Sequence, residues 1–186
     1  MRAVYFIHRV LFQGDMPKGL KATSSQIVIS SEITESGANT FTNATIDLQL
    51  NVLDREVFVV TAIDLDVASP DAQAGIDTSS NMSCSTTART TIGQLSDSNV
   101  MGVALSSIRA AGFVDGGVGF QSLHPDSPTG ADLDFISIIA TNDFHLQIQG
   151  GGNVVAKTGH ARLWGYRAVA DASTFAALTQ SELLSA

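Results

Sequence analysis

The run REVFVVTAIDLDV, Arg55–Val67, decides how this chain folds. It begins with four consecutive apolar residues, Val57 to Val60, and then changes rhythm. From Ile63 onward, Ile63, Leu65 and Val67 fall on one side, and Asp64 and Asp66 on the other. A period of two marks an extended strand, whose successive side chains point to opposite faces. The first half reads as mid-sheet strand, apolar on both faces. The second half reads as strand with one dry and one wet face.

The pair of aspartates also raises a chemical question. DLDV resembles the first motif of the haloacid-dehalogenase phosphatases, an apolar strand ending in DxDx[TV]. The resemblance implies Asp64 as nucleophile toward phosphorus, Asp66 as acid/base, and a bridging Mg²⁺. That family needs a parallel sheet, and parallel neighbours are joined by crossovers of roughly a dozen residues or more, usually helical. The residues after Val67 read as a polar loop, and the chain offers little helix. The structural context that gives the motif its meaning is missing.

The same period of two recurs along the chain. In TNATIDLQLNVLD, Thr42–Asp54, the residues Ala44, Ile46, Leu48, Leu50 and Val52 share one face, and Asn43, Thr45, Asp47, Gln49 and Asn51 the other. SQIVISSEITE alternates less cleanly. Further strands are expected in TTIGQL, in VMGVALSSIRAAGF (Ala-rich and open to a helical turn), in GVGFQSL, and in LDFISIIATNDFHLQIQ, which breaks into two at TND. VVAKTGHARLWGYRAVA is a long final strand, and QGGGN before it reads as a hairpin loop, since glycine supplies the positive φ of tight turns. Ser69–Thr91 and Leu123–Asp132 are small and polar and read as long surface loops. One helix is expected, DASTFAALTQSELLSA, with Asp171 or Ser173 as N-cap and Phe175, Leu178, Leu183 and Leu184 as its apolar side. Short strands with long loops and little helix predict an all-β fold: a two-sheet antiparallel β-sandwich, a single jelly roll closed by a short C-terminal helix.

Composition bounds the rest. The chain has 186 residues, 44% hydrophobic and 15% charged, enough for one domain with a sizeable core. Residues 1–15 read as an N-terminal extension or arm, with VYFIHRVLF β-prone, and 16–186 as the single sandwich domain. Arg9 and His8 interrupt the apolar start, and no cleavage site follows, so a signal peptide is not expected. No run reaches the roughly 20 apolar residues of a membrane span. Net charge is −8 with ten Lys and Arg in all, so direct nucleic-acid binding is not expected. Cys84 is the single cysteine, so no internal disulfide or zinc site is expected, and it reads as a small hydrophobe.

No catalytic residues are expected. His8, His124, His145 and His160 lack metal-ligand spacing; His124 neighbours Asp126 and Ser127 in sequence only, and no nucleophile elbow occurs. No cofactor is expected beyond a Ca²⁺ ion, for which Asp64, Asp66, Asp132 and Asp134 are the candidate ligands among the loop and strand-end aspartates, Asp71 and Asp143 included. Arg162, Trp164 and Tyr166 share one strand face with His160. They, with Phe175 and Leu178 of the helix, are the interface candidates, because Trp, Tyr and Arg anchor interfaces. A core Trp covered by Arg stems is the plainer reading.

In general character the chain resembles single jelly-roll capsid proteins of viruses and phages. The resemblance rests on DREVFVVTAIDLDV, SIIATNDFHLQIQ and the strand-to-helix ending LWGYRAVADASTFAALTQSELLSA. It implies a coat subunit that assembles with copies of itself in a virion, formed in the host cytoplasm, with other virion proteins as further partners. The basic N-terminal arm of many such proteins is missing. The alternatives are a carbohydrate- or receptor-binding sandwich of a phage tail or cell surface, with Trp164 and Tyr166 lining the site, and a cupin-like enzyme using His145 and His160 on adjacent strands inside a barrel.

Overall fold

The computed structural model describes residues 17–110, 120–124 and 134–185. The arm at residues 1–15 and the residues His8, Asp126, Ser127 and Asp132 lie outside them. The described residues form ten strands and one helix: β1 (Leu20–Ala22), β2 (Ile27–Thr34), β3 (Thr42–Asp47), β4 (Glu56–Val67), β5 (Thr78–Ser85), β6 (Val100–Arg109), β7 (Phe120–His124), β8 (Ser137–Ile139), β9 (Asp143–Gly151), β10 (Thr158–Ala170) and α1 (Ala172–Leu184).

Two antiparallel sheets face each other. In sheet A the order is β2-β10-β4-β8, with β1 pairing the far end of β10. In sheet B it is β3-β9-β5-β6-β7. Apart from β5 to β6 to β7, and β1 to β2, which share an edge, each connection crosses from one sheet to the other. This interleaving of β2-β10-β4-β8 with β3-β9-β5-β6, to which β7 adds an edge strand, is the double Greek key of a single jelly roll. The space between the sheets is filled by Phe58, Val60, Ile63, Leu65, Met82, Phe144, Leu146, Ile148 and Leu163, with Cys84 fully buried among them.

The change of rhythm in Arg55–Val67 has a local cause. Gly165 of β10 faces Val60, and Trp164 faces Ala62, so Thr61 is an extra residue in β4. One inserted residue reverses which parity points inward. Before the bulge Phe58 and Val60 enter the core; after it Ile63, Leu65 and Val67 do. Val57 and Val59 are therefore apolar on the outer face, and α1 covers them in a second cluster with Ala140, Ala168, Ala170, Tyr166, Phe175 and Leu178. Asp171 caps the helix, its carboxylate accepting the Thr174 N–H at 2.7 Å.

Several expectations need correction. The polar stretch Ser69–Thr91 contains β5, a central strand of sheet B. Met82 and Cys84 point into the core, and Ser83 and Ser85 to the outer side, where the chain at 86–99 lies over them: the Ser83 hydroxyl accepts the Gly93 N–H at 2.9 Å, and Ser85 donates to the Thr87 carbonyl at 2.7 Å. TTIGQL belongs to that covering loop and is not a strand. The alternation of Thr42–Asp54 stops at Asp47: its side chain accepts the Gln49 N–H at 2.7 Å, and Gln49 turns to φ +52°. Leu48 and Leu50 are still buried, but Val52 enters a 3-10 turn and is exposed. QGGGN is not a hairpin loop, because β9 and β10 belong to different sheets. Leu183 and Leu184 face outward and leave the apolar side of α1 to Phe175 and Leu178.

Candidate functional site

The part of sheet A's outer face that α1 leaves uncovered is the most chemically distinctive surface among the described residues. The ladders align its residues in rows across β2, β10 and β4: Val28, Trp164, Ala62; then Ser30, Arg162, Asp64; then Glu32, His160, Asp66. The even positions of β10 point outward because Ala161 and Leu163 point into the core. The charged rows line an open depression of about 530 Å³.

Asp64 and Asp66 are exposed on the wet face, as the alternation indicates, and their carboxylates make no hydrogen bond or ion pair. Arg162 is also exposed; its guanidinium lies 5.9 Å from the Trp164 ring centroid and is not engaged by a carboxylate. Such a contact contributes about 0.5–1 kcal/mol at an exposed site. Trp164 is half-buried on the outer face, so it is not a core residue. His160 Nδ1 lies 3.5 Å from a Glu32 oxygen, with both side chains more than half exposed, so solvent screens the pair.

The other interface candidates separate from these. Tyr166, Phe175 and Leu178 pack in the cluster between α1 and its own sheet, so their contacts are internal. Burial raises the Tyr166 hydroxyl pKa above its ordinary value, and the nearby Asp134 carboxylate adds to the shift. Asp134 thus sits beside Tyr166, four positions along β10 from Arg162, or about 13 Å at strand rise. It does not join Asp64 and Asp66, and Asp132 is outside the described residues. Among the described residues no group of three His, Cys, Asp or Glu side chains converges.

The two histidines of the cupin-like reading are on different sheets and both point away from the interior. His145 lies under Thr45, whose hydroxyl is 3.2 Å from its Nδ1, with Asp143 3.6 Å from Nε2. It is buried rather than wet, and burial lowers its pKa against the opposing pull of Asp143. The apolar packing between the sheets occupies the position where a barrel enzyme would hold its metal.

Sequence reasoning missed a polar hub at one end of the sandwich. Glu35, at the end of β2, is buried and accepts the Gly150 N–H at 2.6 Å and the Lys157 N–H at 2.8 Å. The Lys157 ammonium pairs with Asp71, which also accepts the Val154 N–H at 2.8 Å. The Lys157 hydrogen bond, then that of Val154, holds the Asp71 carboxyl below its usual pKa. Asn39 and Asn153 exchange side chain-to-backbone bonds of 2.8 and 2.7 Å. The hub joins the three loops that follow β2, β4 and β9. Its one sequence signal is Lys157, the only lysine after Lys21, set in an otherwise uncharged loop.

No family model matches this chain, and no curated protein does. Among solved structures it is similar to Cocksfoot mottle virus, with 9% identity, 96% of this chain and 95% of that chain covered, and a TM-score of 0.33. It is also similar to Desmodium yellow mottle tymovirus, with 11% identity, 80% and 91% covered, and a TM-score of 0.26. The jelly-roll assignment rests on the strand order itself.

Proposed function

We propose that this chain is a structural subunit that assembles with copies of itself into a closed shell, the coat of a virion. The observation that carries the reading is where its large apolar side chains stay exposed. Ile76, Val154 and Val155 lie on loops at one end of the sandwich; Leu53 and Leu95 lie on loops at the other; Leu183 and Leu184 end α1. A binding module gathers such residues into one concave site. A subunit with neighbours on several sides needs them at several places, each contact contributing part of the burial. The rigid polar hub and the helix-covered sheet supply a body that can hold those contacts in fixed relation. The acidic balance leaves genome contact to other components.

Light scattering and electron microscopy of the purified chain test this. Closed shells or large symmetric rings are expected; a monomer at every concentration would overturn it. The second reading, carbohydrate binding, is favoured by half-exposed Trp164 beside open carboxylates. Trp164 is the only tryptophan, so sugar titrations read by its fluorescence separate the two.

A further inference from the structure

The uncovered face of sheet A carries charges of both signs that do not satisfy one another. Arg162 stands directly across the β10–β4 ladder from Asp64, yet its guanidinium lies over Trp164 and makes no ion pair. Asp64 and Asp66 are equally unengaged. The same three rows are also complementary in a second way. Each sets a large or basic residue of β10 beside a small or acidic residue of β4: Trp164 beside Ala62, Arg162 beside Asp64, His160 beside Asp66.

That arrangement is self-complementary under one symmetry operation. Consider a two-fold axis in the plane of contact, parallel to the strands and midway between β10 and β4. It lays β10 of one copy over β4 of the other. Trp164 then seats on Ala62 of the second copy, Arg162 on its Asp64, and His160 near its Asp66, and each contact occurs twice, as in any isologous interface. We propose that a second copy of this chain docks here, outer face to outer face, through reciprocal Arg162–Asp64 pairs flanked by Trp164. This rests on the self-assembly reading above and adds to it a specific contact.

The size of the patch sets the kind of contact. Three strands at ~4.8 Å spacing and rows at ~3.3 Å per residue give an area roughly 14 Å wide and 20 Å long. A lone stable dimer buries about 800 Å² per partner. The face is therefore one contact among several in an assembly, with Trp164 and Arg162 as the residue types that dominate such contacts.

The test is charge reversal in the full-length chain, read as the concentration of half-association by light scattering. Arg162→Asp and Asp64→Arg each place like charges across the contact twice, and each is expected to raise that concentration by about tenfold. The double variant Arg162→Asp/Asp64→Arg restores opposite charges and is expected within about threefold of the wild type. Ala62→Arg, which fills the seat of Trp164, is expected to weaken association without rescue. Each single reversal also sets like charges across the β10–β4 ladder of its own chain, at a modest cost in stability, so association is compared well below the melting temperature of every variant. Single variants that associate like the wild type, or a double variant weaker than either, would overturn the contact while leaving shell assembly standing. A wild type that never associates would overturn both.

Discussion

The Glu182 carboxylate accepts the Ala140 N–H at 3.0 Å, tying the last turns of α1 to the crossing between β8 and β9. Its second oxygen accepts the Thr141 N–H at 2.9 Å. Two backbone donors that no strand partner reaches are thereby satisfied, from a side chain only 7% exposed. Glu182→Ala leaves both donors without a partner and should cost about 2–4 kcal/mol, seen as a lower melting temperature.

The same residue gives a pH dependence. Burial raises its pKa above 4.5, against the two N–H bonds that pull it down. A carboxyl with a raised folded-state pKa stabilises the fold below its unfolded pKa and loses that contribution as pH rises through the folded value. Glu182→Gln has no such step. The stability of the wild type relative to Glu182→Gln should therefore fall as pH rises above about 4.5, as followed by melts of both proteins.

His145 has the opposite sense. Its pKa is lowered, chiefly by burial, so the folded state favours the neutral ring. Stability is full above about pH 6.5 and declines as pH falls from there toward the folded-state pKa. Relative to His145→Gln, the wild type should lose stability as pH falls from about 7.5 to 5, read from the denaturation midpoints of both proteins. A wild type that gains stability on acidification through that window, relative to the Gln variant, would contradict the assignment.

The bulge predicts two further outcomes. A Cβ at Gly165 would run into the Val59 carbonyl and the Phe58 ring, so Gly165→Ala should destabilise by about 1–3 kcal/mol. Deleting Thr61 removes the parity change. Val60, Ile63, Leu65 and Val67 then alternate inward without a break and keep their β10 partners, with Asp64 and Asp66 still outward, so cooperative unfolding should persist by calorimetry.

Gln147 tests the buried polar side of sheet B. It accepts from Ser83 at 2.8 Å and donates to Ser85 at 2.8 Å and to Asn43 at 3.0 Å, while wholly buried. Gln147→Ala should cost about 1–3 kcal/mol, because Ser83, Ser85 and Asn43 each lose one hydrogen bond where water is excluded.

The fold class was legible wherever one face of a strand is wet. Ile63, Leu65 and Val67 against Asp64 and Asp66 reveal their orientation by polarity alone, and α1 reveals itself through Asp171 and the end of β10. β5 was illegible because both of its faces are dry while one of them is built from serines: Ser83 and Ser85 are buried by hydrogen bonds to Gln147 and to the loop, which composition does not announce. The candidate site was half legible. Periodicity places His160, Arg162 and Trp164 on one face, but Asp64 and Asp66 join them only through the β10–β4 register, across nearly one hundred residues of sequence. Phe175 and Leu178 look identical in sequence whether they meet another molecule or the chain's own sheet.

The position of β10 between β2 and β4 has a consequence for how the molecule is made. It is the last strand, ending at Ala170 of 186 residues, and both of its partners precede it by roughly one hundred residues or more. During synthesis β2 has no strand beside it and β4 has only the short β8, and the edge of β4 from Glu56 to Val67 waits for a strand not yet made. Such long-range pairing folds slowly and leaves sticky intermediates. Chain truncation anywhere before Thr158 should then yield aggregate rather than a smaller folded unit.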